Sequence, residues 1–380
     1  MKIRVIASTK EGYVMSKEEA KIFSGKSAGI CYLPKTVDEL FSEPVEKSIR
    51  RSEGTIADGH HSVFQHPTYN LILEGVPKIL AIILNNEKVY NTSEKSGRYT
   101  KMEASEDEKV LYEKWYDIFF EKIKERYPNF EDAKIKKLSL ENARYLISVF
   151  TPATDMEYSV NFCQLNYIIS WMRDYIKDEP ETAFSTKLKA VFEQFLEVMP
   201  DLEVDGLNPR MKNRSFSIFA KRDRAEEFGE NYSVNYEASF VEFAQAERHR
   251  TLSYEMQLLD QPKYFVPYII RGTELEEKWL NDISSLSDKF PQGMIVKVNE
   301  RGTIENFALK CTERLCGAAQ IEIMYQTKEI LEKYMENVKD KKDLYDYLKP
   351  YSRGARCTFP GWKCNRPCVF GPKYGLDRDI

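Results

Sequence analysis

Between Pro200 and Ile218 the chain loses every sustained apolar period. That stretch carries Asp201, Asp205, Gly206, Asn208 and Pro209, residues that favour turns over helix or strand. The pattern of a folded unit ends before it and restarts after it. A chain of 380 residues holds about two domains at roughly 150 residues each. The reading is therefore a first domain over 1–205 and a second over 206–350. Residues 351–380, rich in Gly, Pro, Arg and Cys, form an irregular tail.

Strand and helix signals are mixed in both parts. Lys2–Ser8 alternates apolar residues and predicts a strand, as does Tyr69–Leu73, which turns at Gly75 and Pro77 into an apolar helix over Ile79–Leu84. Ser105-Glu106-Asp107-Glu108 is a capping-box start, with Val110, Leu111, Trp115, Ile118, Phe119 and Ile123 on one face and Pro128 as the stop. Helices are expected over 139–149, 160–176 and 182–199. In the second part, 231–243 has β character, 274–290 is amphipathic and helical, 294–298 is strand-like, and two helices fill 303–339. The fold class is α+β.

Composition removes several function classes. Hydrophobic residues are 42% of the chain, with 23 Tyr and 21 Phe, enough for packed cores. The formal net charge is −4, which argues against nucleic acid as a partner while allowing a local anion pocket. No apolar run approaches the roughly 20 residues that cross a bilayer, so no membrane is expected. Seven cysteines make an odd set, three of them close together in the tail. With an early-charged N-terminus, this reads as a reduced, cytoplasmic protein.

Several clusters can carry chemistry. Arg248-His249-Arg250 sets two guanidiniums beside an imidazole, with Gln245 one turn upstream. That concentrates positive charge where phosphates or a cofactor bind, although spacing alone favours a solvated basic turn paired with Glu247 and Glu255. Glu94-Lys95-Ser96-Gly97-Arg98-Tyr99 points a hydroxyl and a guanidinium the same way around a glycine, or is an ordinary polar loop. Gly59–His66 holds three of the four histidines without the carboxylate or thiol neighbours a metal site needs. Asn142-Ala143-Arg144-Tyr145 and Arg314 to Gln320 each embed an arginine in an apolar stretch, which is costly unless the arginine is paired or bound to an anion.

Together these residues resemble flavin-dependent thymidylate synthase, whose signature is Arg-His-Arg, seven residues, then Ser-x-Arg. The family also has a His-x-Ser/Thr-x-Phe-x-His segment upstream and an Arg-Tyr helix and a second arginine downstream. Here the signature is divided. Ser96-x-Arg98 stands in the first half, where Asn86, Glu87 and Lys88 occupy the Arg-His-Arg slots. Arg248-His249-Arg250 stands in the second, where Leu258 and Asp260 occupy the Ser and Arg slots. His60–His66 and Asn142–Tyr145 survive in the first half, with Gln292-Gly293-Met294 taking the latter's place in the second. Arg314, six before Gln320, survives in the second half. We read this as an internal duplication with complementary loss: two homologous repeats, each a twisted antiparallel sheet with helices, forming a pseudo-dimer with one composite pocket.

The resemblance implies thymidylate synthesis: reductive methylation of dUMP to dTMP with FAD as cofactor, NADPH as reductant and methylenetetrahydrofolate as one-carbon donor. It assigns dUMP to Ser96, Gly97, Arg98, Arg144, Gln245, Arg248 and Arg314. Arg314 and Arg248 are the catalytic pair. FAD falls to Ser62, Glu94, Asn161, Arg248, His249 and Arg250, although Cys163 stands where the family has an arginine. With two subunit equivalents per chain, a homodimer replaces the family's tetramer. Three alternatives differ in class: a flavin enzyme for a modified pyrimidine nucleotide, a nucleotide-binding paralogue without catalysis, and a metal-stapled module that binds nucleic acid. Cys357, Cys364 and Cys368, with Cys311 or Cys316 as a fourth ligand, suit a zinc or iron–sulfur centre.

Overall fold

The computed structural model describes residues 1–10, 14–98, 102, 104–209, 214–371 and 375–380. The chain runs β1 (Lys2–Ser8), α1 (Lys17–Tyr32), α2 (Val37–Phe41), α3 (Val45–Asp58), β2 (Thr68–Pro77), α4 (Lys78–Asn86) and β3 (Tyr90–Glu94). It continues through α5 (Glu106–Arg126), α6 (Asp132–Ala143), β4 (Pro152–Asn161), α7 (Phe162–Asp178) and α8 (Ala183–Val198). Then come β5 (Glu227–Phe228), β6 (Asn231–Ser239), α9 (Phe240–Ala246), β7 (Ser253–Leu258), α10 (Glu274–Ser284) and β8 (Ile295–Thr303). Helices α11 (Ile304–Arg314), α12 (Ile321–Asn337) and α13 (Lys342–Leu348) follow. Two compact units result: 1–95 with 152–216, and 96–151 with 217–380.

The first unit holds an antiparallel sheet in the order β1-β2-β4-β3. Along β2 and β4 burial alternates, so Tyr69, Leu71, Leu73, Met156, Tyr158 and Val160 share the covered face. Apolar α4, buried almost throughout, and α7 pack beside these strands. Helices α1 and α3 meet through small residues: a Cβ on Gly25 would lie 1.9 Å from the Ser48 carbonyl oxygen. Arg51 locks the pair, donating to the Gly25 carbonyl at 2.7 Å and to both oxygens of buried Glu43. The stretch after α8 is irregular as expected, yet it packs, with Leu202, Leu207 and Phe216 buried.

The second unit's sheet runs β5-β6-β8-β7. Its core contains a polar centre: Lys310 and Glu300 pair at 2.5 Å with no exposed side-chain surface, and the Tyr232 and Tyr236 hydroxyls donate to the same carboxylate. Against α10, α5 buries Trp115 and Phe119 on Trp279, ring centroids 4.9 and 5.5 Å away. The capping-box residue Glu108 also accepts from the Ser148 amide at 2.8 Å and from the Thr151 hydroxyl, which pins the turn after α6.

Several expected elements differ in kind. Residues 139–149 are the end of α6, then a 3-10 turn over Arg144–Leu146 and a bridge from Ser148 to Pro291. The β character of 231–243 ends at Ser239, whose hydroxyl caps α9. Residues 160–176 begin as the end of β4, and 274–290 stops as a helix at Ser284. On α5, Val110 faces solvent and Tyr112 is buried instead.

Gly293 permits a close approach of two segments: a Cβ there would lie 2.7 Å from Ile283 Cδ1 and 3.2 Å from the Tyr145 carbonyl oxygen. Gly293→Ala is expected to cost about 1–3 kcal/mol by overpacking. Gly54→Ala, on an exposed position of α3 with nothing within 4 Å of the added carbon, is expected to gain about 0.5–1 kcal/mol. Denaturant titration of both variants against wild type checks the pair of signs.

Candidate active site

Helix α6 ends in the sequence Glu141-Asn142-Ala143-Arg144, and the second unit gathers the first candidate residues around it. Glu141 is buried and accepts from Arg98 Nε at 2.8 Å. Arg98 also donates from Nη2 to the Ala318 carbonyl at 3.0 Å, in the loop that follows Arg314. The Arg98 amide donates to the Ser96 hydroxyl at 3.3 Å, closing a turn. Gly97 lies against Arg144: a Cβ there would be 3.5 Å from Arg144 Cδ and 2.7 Å from the sulfur of Met102. Tyr99 lies outside the described residues.

Arg144 is 7% exposed, and its Nε and Nη2 are buried without an acceptor. A buried donor left unsatisfied costs about 1–3 kcal/mol, so this guanidinium calls for an anion. Burial pushes the Glu141 carboxyl up, but Arg98 and Arg144 outweigh it and hold it below the usual carboxylate range. Next to it, Tyr145 accepts from Gln320 Nε2 at 2.7 Å and donates to buried Glu322 at 2.9 Å. Glu322 also receives the Ser239 amide and hydroxyl.

The second cluster follows α9. Arg314, the last residue of α11, donates from Nε to His249 Nε2 at 2.6 Å and from Nη2 to the Gln245 carbonyl at 3.1 Å. His249 Nε2 is therefore an acceptor, which places the ring proton on Nδ1. Burial, then the charges of Arg314 and Lys310, pull the imidazole down to about 2. Arg248 is half-buried and Arg250 exposed in the turn beyond the helix. Below them, Glu242 is fully buried with both carboxylate oxygens unpartnered. Burial pushes it up to about 8, against Lys310 and with Glu322 and Glu300 adding to the rise. Arg98 acts electrostatically on Arg314, so Ser96-Gly97-Arg98 and Arg314 belong to one neighbourhood.

The remaining candidates lie in the first unit. Ser62 is exposed in a 3-10 turn. Glu94, at the end of β3, accepts from Lys78 at 2.6 Å and from Asn85. Asn161 caps α7, its side-chain oxygen accepting from the Gln164 amide. Cys163 is buried, its thiol pushed up to about 11 by burial, so no cation stands at that position. His61 is bonded to Tyr167 and to the Ile56 carbonyl.

The metal centre expected at Cys357, Cys364 and Cys368 is not assembled. Among the described residues no group of three His, Cys, Asp or Glu side chains could hold an ion. Cys357 and Cys364 are exposed, Cys311 is sealed in the core, and Cys368 packs on Gly317. The Gly- and Pro-rich tail spreads its thiols over the surface instead of folding around them. Residues missed by sequence reasoning include Glu141, Met102, Glu242 and Arg378. A lone acid within the apolar run ahead of Arg144 was the available signal for the first; Arg378 had none. No helix among the described residues is long and apolar enough to cross a membrane.

Residues 14–200 match the family model described as thymidylate synthase complementing protein. No curated protein sequence matches the chain. Among solved structures, a flavin-dependent thymidylate synthase from Helicobacter pylori complexed with FAD and dUMP is similar at 14% identity, over 54% of this chain and 100% of that one, with a TM-score of 0.30. A UMP/dUMP methylase from Streptomyces cacaoi bound with 5-Br dUMP is similar at 13% identity, over 53% and 92%, with a TM-score of 0.34.

The imidazole gives a pH test. Its folded pKa of about 2 lies below the ordinary value of about 6.5 in the unfolded chain. The unfolded state thus binds a proton that the native state refuses. This contribution is present well above pH 6.5 and is lost as pH falls through it, by about 1.4 kcal/mol between pH 7.5 and 5.5. Between pH 7.5 and 5.5 the wild-type melting temperature should fall further than that of His249→Gln; parallel curves would refute the assignment.

Proposed function

Over residues 14–200 this chain belongs to the thymidylate synthase complementing protein family, and from that membership we propose that it is a flavin-dependent thymidylate synthase. It converts dUMP to dTMP, with methylenetetrahydrofolate as one-carbon donor and NADPH as reductant. The observation that carries the reading is the position of Arg98. The Ser-x-Arg stretch from the first half of the sequence bonds to the Ala318 carbonyl, four residues beyond the second-half Arg314, and shares Glu141 with Arg144.

In this reading Ser96, Gly97, Arg98, Arg144, Gln245 and Arg248 hold the nucleotide. The unpartnered nitrogens of Arg144 suit a phosphate, because charge-assisted and bidentate donors are the strong ones. Arg314 faces the pyrimidine and stabilises negative charge that develops as C5 becomes nucleophilic. His249, neutral and accepting from Arg314, fixes the direction of that guanidinium in advance, and preorganised charge is the largest lever such a site has.

Taken unit by unit, the residue types suit FAD in their chemistry: Arg248 and Arg250 in the second unit would offer cationic donors, and Ser62 and Asn161 in the first a hydroxyl and an amide, while Glu94 is already engaged by Lys78 and Asn85. Bound to these residues, FAD would supply the redox chemistry that a reductive methylation needs. The remaining work, binding and orienting the nucleotide and stabilising its charge, falls to the arginines.

Internal duplication accounts for the divided signature. Both sheets follow one permutation, β1-β2-β4-β3 and β5-β6-β8-β7, and in both a strand leads directly into a helix twice (β2 to α4 and β4 to α7; β6 to α9 and β8 to α11). Pro152 and Ile295 open β4 and β8, 143 positions apart. The bridge joining Ser148 to Pro291 also spans 143 positions. The spacing of the bridged residues thus equals the spacing of the two strand starts, which supports the duplicated reading. A homodimer of the fused chain follows as the expected assembly.

Purified protein given FAD should oxidise NADPH faster when dUMP is added and should release dTMP by mass. Arg98→Ala and Arg248→Ala are each expected to abolish turnover, at least a hundredfold, whereas Lys88→Ala stays within about threefold of wild type. Equal damage from Lys88→Ala would overturn the division of the signature between halves.

A further inference from the structure

The buried positive charge beside Glu141 exceeds what Arg98 and Arg144 bring. Arg378, from the far end of the chain, is 5% exposed. Its Nη2 donates to the Ala319 carbonyl at 2.5 Å, its Nη1 to the Ile380 carbonyl, and its Nε is buried without an acceptor. The guanidinium lies 4.5 Å from the centre of the Phe370 ring. Arg98 donates to Ala318 and Arg378 to the next carbonyl, so the two arginines grip the same short loop from opposite ends of the sequence.

Three guanidiniums, those of Arg98, Arg144 and Arg378, act on the single carboxylate of Glu141. Arg144 Nε and Nη2 and Arg378 Nε are buried and have no acceptor. A buried donor left without an acceptor is costly, and more so on a charged group, a cost that an anion reaching these nitrogens would remove. The segment that carries Arg378 is anchored by other contacts: Tyr325 donates to the Arg378 carbonyl at 2.7 Å, Arg126 pairs with Asp379 at 2.9 Å, and Tyr127 bonds to the same carboxylate. Its placement is therefore not a by-product of the Arg378 side chain.

We propose that Arg378 is a further nucleotide-binding residue, a guanidinium delivered by the C-terminal segment to the 5′-phosphate of the pyrimidine nucleotide. A phosphate monoester supplies three terminal oxygens and up to two negative charges, which matches the unpartnered guanidinium nitrogens. The proposal rests on the reading of this site as a dUMP pocket. The C-terminal segment then becomes part of the site and not an appendage to it.

Calorimetric titration of the full-length protein with dUMP separates the possibilities, using wild type, Arg98→Ala, Arg378→Ala, Arg378→Lys and Asp379→Asn. Arg378→Ala should weaken dUMP at least tenfold and Arg378→Lys three- to tenfold. Asp379→Asn, which loosens the anchor and keeps the guanidinium, should weaken it less than threefold. If wild type binds dUMP and Arg98→Ala does not, but both Arg378 variants bind like wild type, the proposal is overturned while the pocket reading stands. If Asp379→Asn loses as much as Arg378→Ala, segment placement and not the guanidinium is at work, and the proposal is again overturned. Should Arg378→Ala fail to fold, Arg378→Lys decides: wild-type affinity overturns the proposal. Absence of dUMP binding by wild type instead defeats the pocket reading itself.

Discussion

One buried carboxylate, Glu141, determines how the candidate nucleotide site is built. It is the acid on which three guanidiniums act, and they come from the stretch after β3, the end of α6 and the C-terminal segment. Removing it would leave these cations buried together, a far larger penalty than the loss of one hydrogen bond. Arg144 gains something from its own position, since the carbonyl end of α6 favours a cation. That gain is a few tenths of a kcal/mol to about 1 kcal/mol, too little to hold several charges in the interior. The carboxylate holds the donors close to one another; the unsatisfied nitrogens that remain define the ligand's sign.

A second polar centre does a different task. Lys310 and Glu300 pair without solvent contact, with Tyr232 and Tyr236 completing the acceptor. Beside them Glu242 is kept largely protonated by burial. This network lies next to Arg314 and His249, and its positive member Lys310 helps keep the imidazole neutral. A neutral acceptor directs the Arg314 guanidinium without neutralising it. Were His249 charged, two cations would face each other at 2.6 Å, and the arginine would turn away. The polar core thus sets the direction of a charge the proposed chemistry depends on.

How much of this was legible in the sequence depended on the scale of the signal. Strands β1 and β2 and helices α4, α5, α11 and α12 followed from local periodicity and caps. Helices α1 and α3 did not, because the residues they bury include Ser24, Gly25, Gly29, Ser48 and Ser52, small residues that leave no hydrophobic stripe. The strand-to-helix switches at Ser239 and Asn161 were blurred because apolar character continues through the cap. At the site, motif spacing singled out Ser96, Arg98, Arg144, Arg248 and Arg314. Glu141 and Arg378 escaped, since what marks them is a shared neighbourhood assembled over 237 positions of sequence, from 141 to 378. The cysteines misled for the opposite reason: close spacing in sequence, in a Gly- and Pro-rich tail, does not bring thiols together.

On the duplicated reading, the divided signature has a physical logic. In a symmetric pair of identical subunits a substitution in one half-signature falls on both pockets at once, so neither half can be spared. Fusion removes that identity. A change at Asn86, Glu87 or Lys88 then leaves Arg248-His249-Arg250 untouched, and one pocket stays complete while the other degrades. The surviving pocket can also recruit residues that symmetry would have forbidden. On the duplicated reading the segment that carries Arg378 lies outside both repeats, so it can lay an arginine against one pocket without having to fit the other. On that reading Arg378 beside Glu141 is an asymmetric addition. An added guanidinium there would compensate for no missing family residue, since Arg98 and Arg144 are both present; its proposed effect is to tighten the hold on an anion where those donors already lie.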